Sequence, residues 1–263
     1  VPTVEANGLH IYYEVHGQGF PLVMIMGLGA NLDWWPPRIV ERLSRRYRLL
    51  LFDNRGAGRT DKPGGRYSIR LMAGDTAALM EAVGIRRAHV LGVSMGGMIA
   101  QELALNHPER VERLVLACTT CGGIRSVPPA PRALAWLSAR NVPPEVFRER
   151  QLKLLFPDEF AARHRQEIEE YWRRAGRWPT PADAYRRQLA AILRFNSYGR
   201  LPRIQAPTLV MTGDRDILVP PKNSEILASR IPGARLEVFP GGGHGFIAQF
   251  PERFCRVVEE FLG

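Results

Sequence analysis

The chain has 263 residues, 45% of them apolar, and a formal net charge of +10. That supplies a large buried core and is about the size of one α/β domain. No uninterrupted apolar run reaches the ~18 residues of a membrane span, and the first residues lack the charged-then-apolar pattern of a secretory leader. Three cysteines, Cys118, Cys121 and Cys255, are too few and the wrong parity for a disulfide framework. The expectation is a cytoplasmic protein with no membrane partner.

Two short strands at residues 4–6 and 10–15 join at Asn7-Gly8, a hairpin signal. A fully apolar strand at 22–26 ends at Gly27-Leu28-Gly29. Residues 39–46 have helical character, and 47–52 form the next strand. A turn-rich loop follows at 53–60, then a helix at 68–83 stopped near Gly84. A buried strand at 87–91, a helix at 97–105 and a strand at 111–118 continue the alternation. It breaks at Cys121. From there to about residue 203 the chain is rich in Arg, Pro and aromatic residues and mostly helical. Strands return at 207–211 and 235–239, and a helix closes the chain at 251–262. Alternating strands and helices after a hairpin predict a mostly parallel, eight-stranded sheet with helices on both faces. Residues 1–120 and 204–263 form the core in this reading, and 121–203 an inserted helical cap over the strands' C-terminal ends, where open parallel sheets bind ligands.

Basic residues concentrate in that insertion. Residues 121–200 hold 15 basic and 8 acidic side chains. Acids interleave with Arg at Arg163, Arg165, Glu167, Glu169, Glu170, Arg173 and Arg174, as on a solvated helix face with ion pairs. No nucleic-acid motif accompanies the charge, so no nucleic-acid partner is expected.

Gly92-Val93-Ser94-Met95-Gly96 lies between a strand and a helix. A G-x-S-x-G there is a nucleophile elbow: the tight turn pushes the Ser94 hydroxyl out of the sheet, and larger side chains at Gly92 and Gly96 would collide. A serine hydroxyl needs a base. Of six histidines, His244, in Gly241-Gly242-Gly243-His244-Gly245 just past the last strand, is the one placed to reach it. The base needs an acid, and the loop after the 207–211 strand offers two, Asp214 and Asp216. Cys118 and Cys121 form a C-x-x-C, but no helix opens at it and no second Cys/His pair completes a zinc site. No metal or cofactor is expected.

The order Ser94, acid, His244 resembles the α/β-hydrolase superfamily across essentially the whole chain, in particular the capped carboxylesterase and lactonase branch with enol-lactone and acyl-homoserine lactone hydrolases. In that family the acid falls within G-x-x-D-x-x-x-P, which Gly213, Asp216 and Pro220 match. The resemblance therefore implies Asp216. It also implies an oxyanion hole from the backbone N–H groups of Met95 and Leu28. Met26 stands where the family usually has His before Gly27. Residues 53–60 resemble a family loop, in which Asp53 and Arg55 organise the turn. Dehalogenases and epoxide hydrolases of this fold need an Asp nucleophile, which Ser94 argues against.

Trp34 and Trp35 follow the oxyanion loop and either line the pocket or pack the first helix. The cap adds Trp136, Phe147, Phe156, Phe160, Tyr171, Trp172, Trp178 and Tyr185, which predict an apolar roof. Met26, Trp34, Trp35, Trp136 and Trp172 are the candidate substrate contacts. The expected activity is cleavage of short-to-medium-chain carboxylic esters or lactones through an acyl-serine. Acyl-homoserine lactones or enol-lactones as main substrates are an alternative, and a ligand receptor on the same fold is another. The partner is a small molecule. Nothing in the sequence sets the number of subunits.

Overall fold

The computed structural model describes residues 2–138 and 142–263. Its strands are β1 (Thr3–Ala6), β2 (Leu9–His16), β3 (Phe20–Ile25), β4 (Tyr47–Phe52), β5 (Ala88–Val93), β6 (Val111–Ala117), β7 (Thr208–Gly213) and β8 (Arg235–Phe239). They form one eight-stranded sheet in the order β1-β2-β4-β3-β5-β6-β7-β8. β1, β2 and β4 pair antiparallel, and every pair from β4–β3 to β7–β8 is parallel. The first hairpin turns at Asn7 (φ 51°) and Gly8 (φ 69°), two left-handed residues of the kind a two-residue hairpin requires.

Helices cover both faces. α1 (Pro37–Leu43), α2 (Ile69–Ala82) and α3 (Met95–Asn106) alternate with the early strands. Among the described residues, five α-helices lie between β6 and β7: α4 (Pro131–Ser138), α5 (Pro144–Leu155), α6 (Asp158–Arg163), α7 (Arg165–Ala175) and α8 (Ala182–Leu193). α9 (Lys222–Arg230), α10 (Phe246–Gln249) and α11 (Pro251–Leu262) follow β7 and β8. The expected insertion at 121–203 and core at 1–120 and 204–263 include Val1 and residues 139–141, which lie outside the described residues.

Side-chain alternation along β3 divides the core in two. Val23 and Ile25 join the layer under α2 and α3, and Leu22 and Met24 join the layer under α1 and α11. β5 and β7 are buried at every position, which is why both read as near-continuous apolar runs, interrupted by His89 in β5 and by Thr208 and Thr212 in β7. Edge strand β8 is mostly exposed. α11 buries Phe254, Cys255, Val258, Phe261 and Leu262, a stripe at helical spacing. The Ser68 hydroxyl caps α2 by accepting the Leu71 N–H at 3.1 Å, and Gly84 (φ 72°) follows its end, the usual stop for a helix.

Buried carboxylates hold the loop at 53–60. Asp53 is buried; its Oδ1 accepts the Leu32 N–H at 2.7 Å and its Oδ2 accepts the Arg59 N–H at 2.7 Å. Arg55 and Asp75 form a buried two-bond ion pair of 2.7 and 2.6 Å. The 3-10 turn Leu32–Trp34 and the four-residue α10 were not expected from the sequence, because elements that short carry no periodicity. No helix among the described residues is long and apolar enough to cross a membrane.

Candidate active site

Ser94 joins β5 to α3 with φ 56° and ψ −119°, a strained conformation for a residue with a side chain. Its neighbours enforce the bend. A Cβ on Gly92 would lie 2.3 Å from the Gly96 carbonyl oxygen, and one on Gly96 would lie 2.0 Å from that of Ile25. The Ser94 N–H donates to the Ala117 carbonyl at 2.9 Å, and the Thr119 hydroxyl donates to the Ser94 carbonyl at 2.7 Å. The serine is thus pinned to β6 and its segment, with its hydroxyl at a helix N-terminus that favours negative charge.

Asp216 lies in the loop after β7. Its Oδ1 accepts the N–H groups of Leu218 and Val219, both at 2.8 Å. Its Oδ2 meets His244 Nδ1 at 2.7 Å. A carboxylate can only accept, so Nδ1 carries the hydrogen and Nε2 is left as the basic nitrogen. Both side chains are buried. The loop bearing His244 is held by the Gly243 N–H donating to Gln249 Oε1 and the Gly245 N–H donating to the Leu155 carbonyl, each at 2.7 Å. Asp214 is exposed and accepts the Gly241 N–H at 2.7 Å, closing the turn.

Ser94 and His244 line one cavity of about 600 Å³. Met26, Leu28, Trp34 and Met98 wall it on the sheet side, and Leu154, Tyr185, Leu189 and Ile192 on the side of the inserted helices. Among the described residues, neither the Leu28 nor the Met95 backbone N–H meets an acceptor.

The family model for the alpha/beta hydrolase fold matches residues 21–251. The chain belongs to the alpha/beta hydrolase family. It is a hydrolase of that fold. A relative from Azorhizobium caulinodans, provisionally named as the carbamate hydrolase RutD, is 32% identical over 100% of this chain and 98% of its own length. A poly(3-hydroxyalkanoate) depolymerase from Ectopseudomonas oleovorans is 33% identical over 92% of this chain and 84% of its own. The crystal structure of an enol-lactonase from Burkholderia xenovorans LB400 superposes with a TM-score of 0.87 at 28% identity, covering 99% of each chain.

The hydrolase places the expected substrate contacts unevenly. Met26 and Trp34 line the cavity; Trp35, Trp136 and Trp172 do not. Trp35 is 2% exposed and packs into the core under α1. On α4 the cavity wall is Leu134 and Leu137, one helical face, and Trp136 lies off it. On α7 the wall is Tyr171, while Trp172 packs with Leu152, Phe156 and Ile168 of the helices between β6 and β7.

Cys118, read in the sequence only as part of a C-x-x-C, lies beside the site. Cys118 has φ 40°, is fully buried, and its sulfur lies with atoms of Asp216 and His244 inside a 4.8 Å cluster. The strand register places it there: Ala117 pairs with Val93 on one side and Met211 on the other, so the next residue falls beside the ends of β5 and β7, a pairing the local sequence does not carry. Burial, and then the Asp216 charge, push its thiol well above the ordinary range. A neutral thiol is a poor metal ligand, and His244 Nδ1 is already committed to Asp216. Cys118, Cys121 and Cys255 are all free thiols.

Proposed function

We propose that this hydrolase cleaves short-to-medium-chain carboxylic esters or lactones through an acyl-Ser94 intermediate. The observation that carries the reading is the sharing of one apolar cavity by Ser94 and His244, with Asp216 holding the other imidazole nitrogen. His244 Nε2 takes the Ser94 proton as Oγ adds to the substrate carbonyl carbon. Asp216 stabilises the imidazolium that forms. The N–H groups of Leu28 and Met95 receive the charge that develops on the carbonyl oxygen; one such donor contributes about 2.7–4 kcal/mol. The C–O bond then breaks, and the leaving alcohol takes the proton from His244. A water molecule, deprotonated by the same imidazole, releases the acid and restores Ser94. The step needs no cofactor.

The enol-lactonase and polyester depolymerase names of similar proteins support a carboxylic ester bond as the target. Carbamate cleavage, the activity in the name of the Azorhizobium relative, uses the same attack and is the second reading. The mostly apolar wall of a 600 Å³ cavity favours an ester with apolar substituents over a small polar carbamate. The test is turnover of a panel of p-nitrophenyl esters, lactones and aryl carbamates by the wild type beside Ser94→Ala. Ester or lactone turnover that Ser94→Ala abolishes supports the reading; turnover confined to carbamates would replace it.

A further inference from the structure

We infer that Gln188 and Thr180, both from the inserted segment, are positioning residues that set the Leu28 oxyanion donor. The inference rests on the acyl-serine reading above. Gly27, Leu28, Gly29 and Ala30 make a β-turn closed by the Ala30 N–H donating to the Gly27 carbonyl at 3.3 Å. Gly29 has φ 68°, the left-handed value a type II turn demands at its third residue. The Gly27 carbonyl belongs to the same peptide plane as the Leu28 N–H. Whatever holds the turn therefore aims the donor.

Two side chains from between β6 and β7 hold it at Gly29. Gly29 N–H donates to Gln188 Oε1 at 2.8 Å, and the Thr180 hydroxyl donates to the Gly29 carbonyl at 2.9 Å. Both backbone polar groups of the residue after Leu28 are thus engaged by side chains 159 and 151 positions away. Gln188 is completely buried, and its Nε2 donates to the Arg55 carbonyl at 2.7 Å. Arg55 is itself fixed by its two bonds to Asp75. The amide is a strut between a rigid base and the turn. The next residue but one is tied the same way: Asn31 Nδ2 donates to the Ala175 and Trp178 carbonyls at 3.1 and 2.9 Å.

Neither Gln188 nor Thr180 lines the cavity, so neither touches substrate. The central peptide of this turn, which carries the Gly29 N–H, flips readily with Gly at the third position unless a partner fixes it, and its flip breaks up the turn that holds the adjoining peptide with the Leu28 N–H. Loss of the strut leaves the substrate pocket walled as before but the donor misaimed. That predicts a defect in the transition state rather than in substrate binding.

The test compares Gln188→Met, which keeps the shape and removes both bonds, with Thr180→Val and Thr180→Ser, using p-nitrophenyl butyrate. The expected result for Gln188→Met and Thr180→Val is a kcat lowered about 10- to 100-fold, since a misplaced group can lose about 10²-fold, with KM within about threefold. Affinity for an alkyl boronic acid, which presents a tetrahedral oxyanion at Ser94, falls in step with kcat. Affinity for the ground-state amide N-butylbutyramide stays level. Thr180→Ser retains the hydroxyl and recovers most of the rate. Unchanged kcat in folded variants overturns the inference, as does a raised KM alone, or a lowered kcat with intact boronate affinity. Should Gln188→Met fail to fold, the Thr180 pair carries the same reading alone. Full activity of Ser94→Ala on this ester would instead remove the acyl-serine mechanism itself, a distinct result.

Discussion

Asp216 Oδ2 lies 2.7 Å from His244 Nδ1, and the other carboxylate oxygen is fully used by the Leu218 and Val219 N–H groups. The carboxylate cannot rotate without losing three bonds, so it presents a fixed face to the imidazole. Asp216→Asn keeps the shape but puts an amide where an acceptor is needed. Its kcat should fall by roughly three to four orders of magnitude, as wrong-tautomer variants of such triads do. Asp214→Asn touches only the Gly241 turn and should leave kcat within about threefold. Steady-state kinetics on one ester compares the two.

Ser94 combines the reactive hydroxyl with a strained backbone, φ 56°. Ser94→Ala should fold normally and lose at least about 10³-fold in kcat, and a phosphonate inhibitor should label the wild type at Ser94 alone. Ser94→Gly should also be inactive yet more stable, by about 1 kcal/mol, because glycine relieves the strain. Chemical denaturation of the two variants measures the difference; equal stabilities would remove the strain argument.

His89 is 6% exposed at the start of β5, packed 4.7 Å from the Phe20 ring and 6.0 Å from that of Tyr47, and its Nδ1 meets no hydrogen-bond partner among the described residues. Burial lowers its pKa from 6.5 to about 4, Glu112 opposing and Arg113 assisting. The unfolded chain therefore binds the proton that the folded one refuses. This contribution to stability is fully present above pH 6.5 and falls as pH drops toward 4. The melting temperature should decline across that window, and His89→Phe should flatten part of the decline. An identical pH profile for the variant would exclude His89 as its source.

Arg55 and Asp75 are both buried, and Asp75 Oδ1 also accepts from Asn7 Nδ2 at 2.6 Å. Removing one partner strands a charge. Asp75→Ala should destabilise the fold by about 3–5 kcal/mol, and the double substitution Arg55→Met with Asp75→Leu by less than either alone would suggest. Urea denaturation of the single and double variants tests it.

The cavity of about 600 Å³ bounds the substrate. Along a p-nitrophenyl ester series, kcat/KM should peak at acyl chains of roughly four to eight carbons, each buried CH₂ adding up to ~0.8 kcal/mol until the space is filled. A rise continuing through sixteen carbons, or a preference for acetyl alone, would mean the inserted helices do not set the limit.

Much of the site is legible in the sequence because its parts are local objects. The elbow around Ser94 is five residues whose glycines are demanded by contacts with the adjoining turn and with β3. The His244 and Asp216 loops are named by their positions after β8 and β7, and the resemblance separates Asp216 from Asp214. The alternation of apolar runs with helical spacing carries the mostly parallel sheet, since strands buried on both faces must be apolar throughout.

Tertiary packing alone decides which of several neighbouring side chains faces the cavity. Trp34 rather than Trp35, Tyr171 rather than Trp172, and Leu134 and Leu137 rather than Trp136 form the wall. A helix's rotation about its own axis is set by what it packs against, and spacing along one chain segment fixes the width of a face but not its direction. The same holds for Gln188 and Gly29. Their bond joins residues 159 positions apart, and neither local sequence carries a mark of it, because a single buried amide finds its partner only once the inserted helices have closed against the loop after β3.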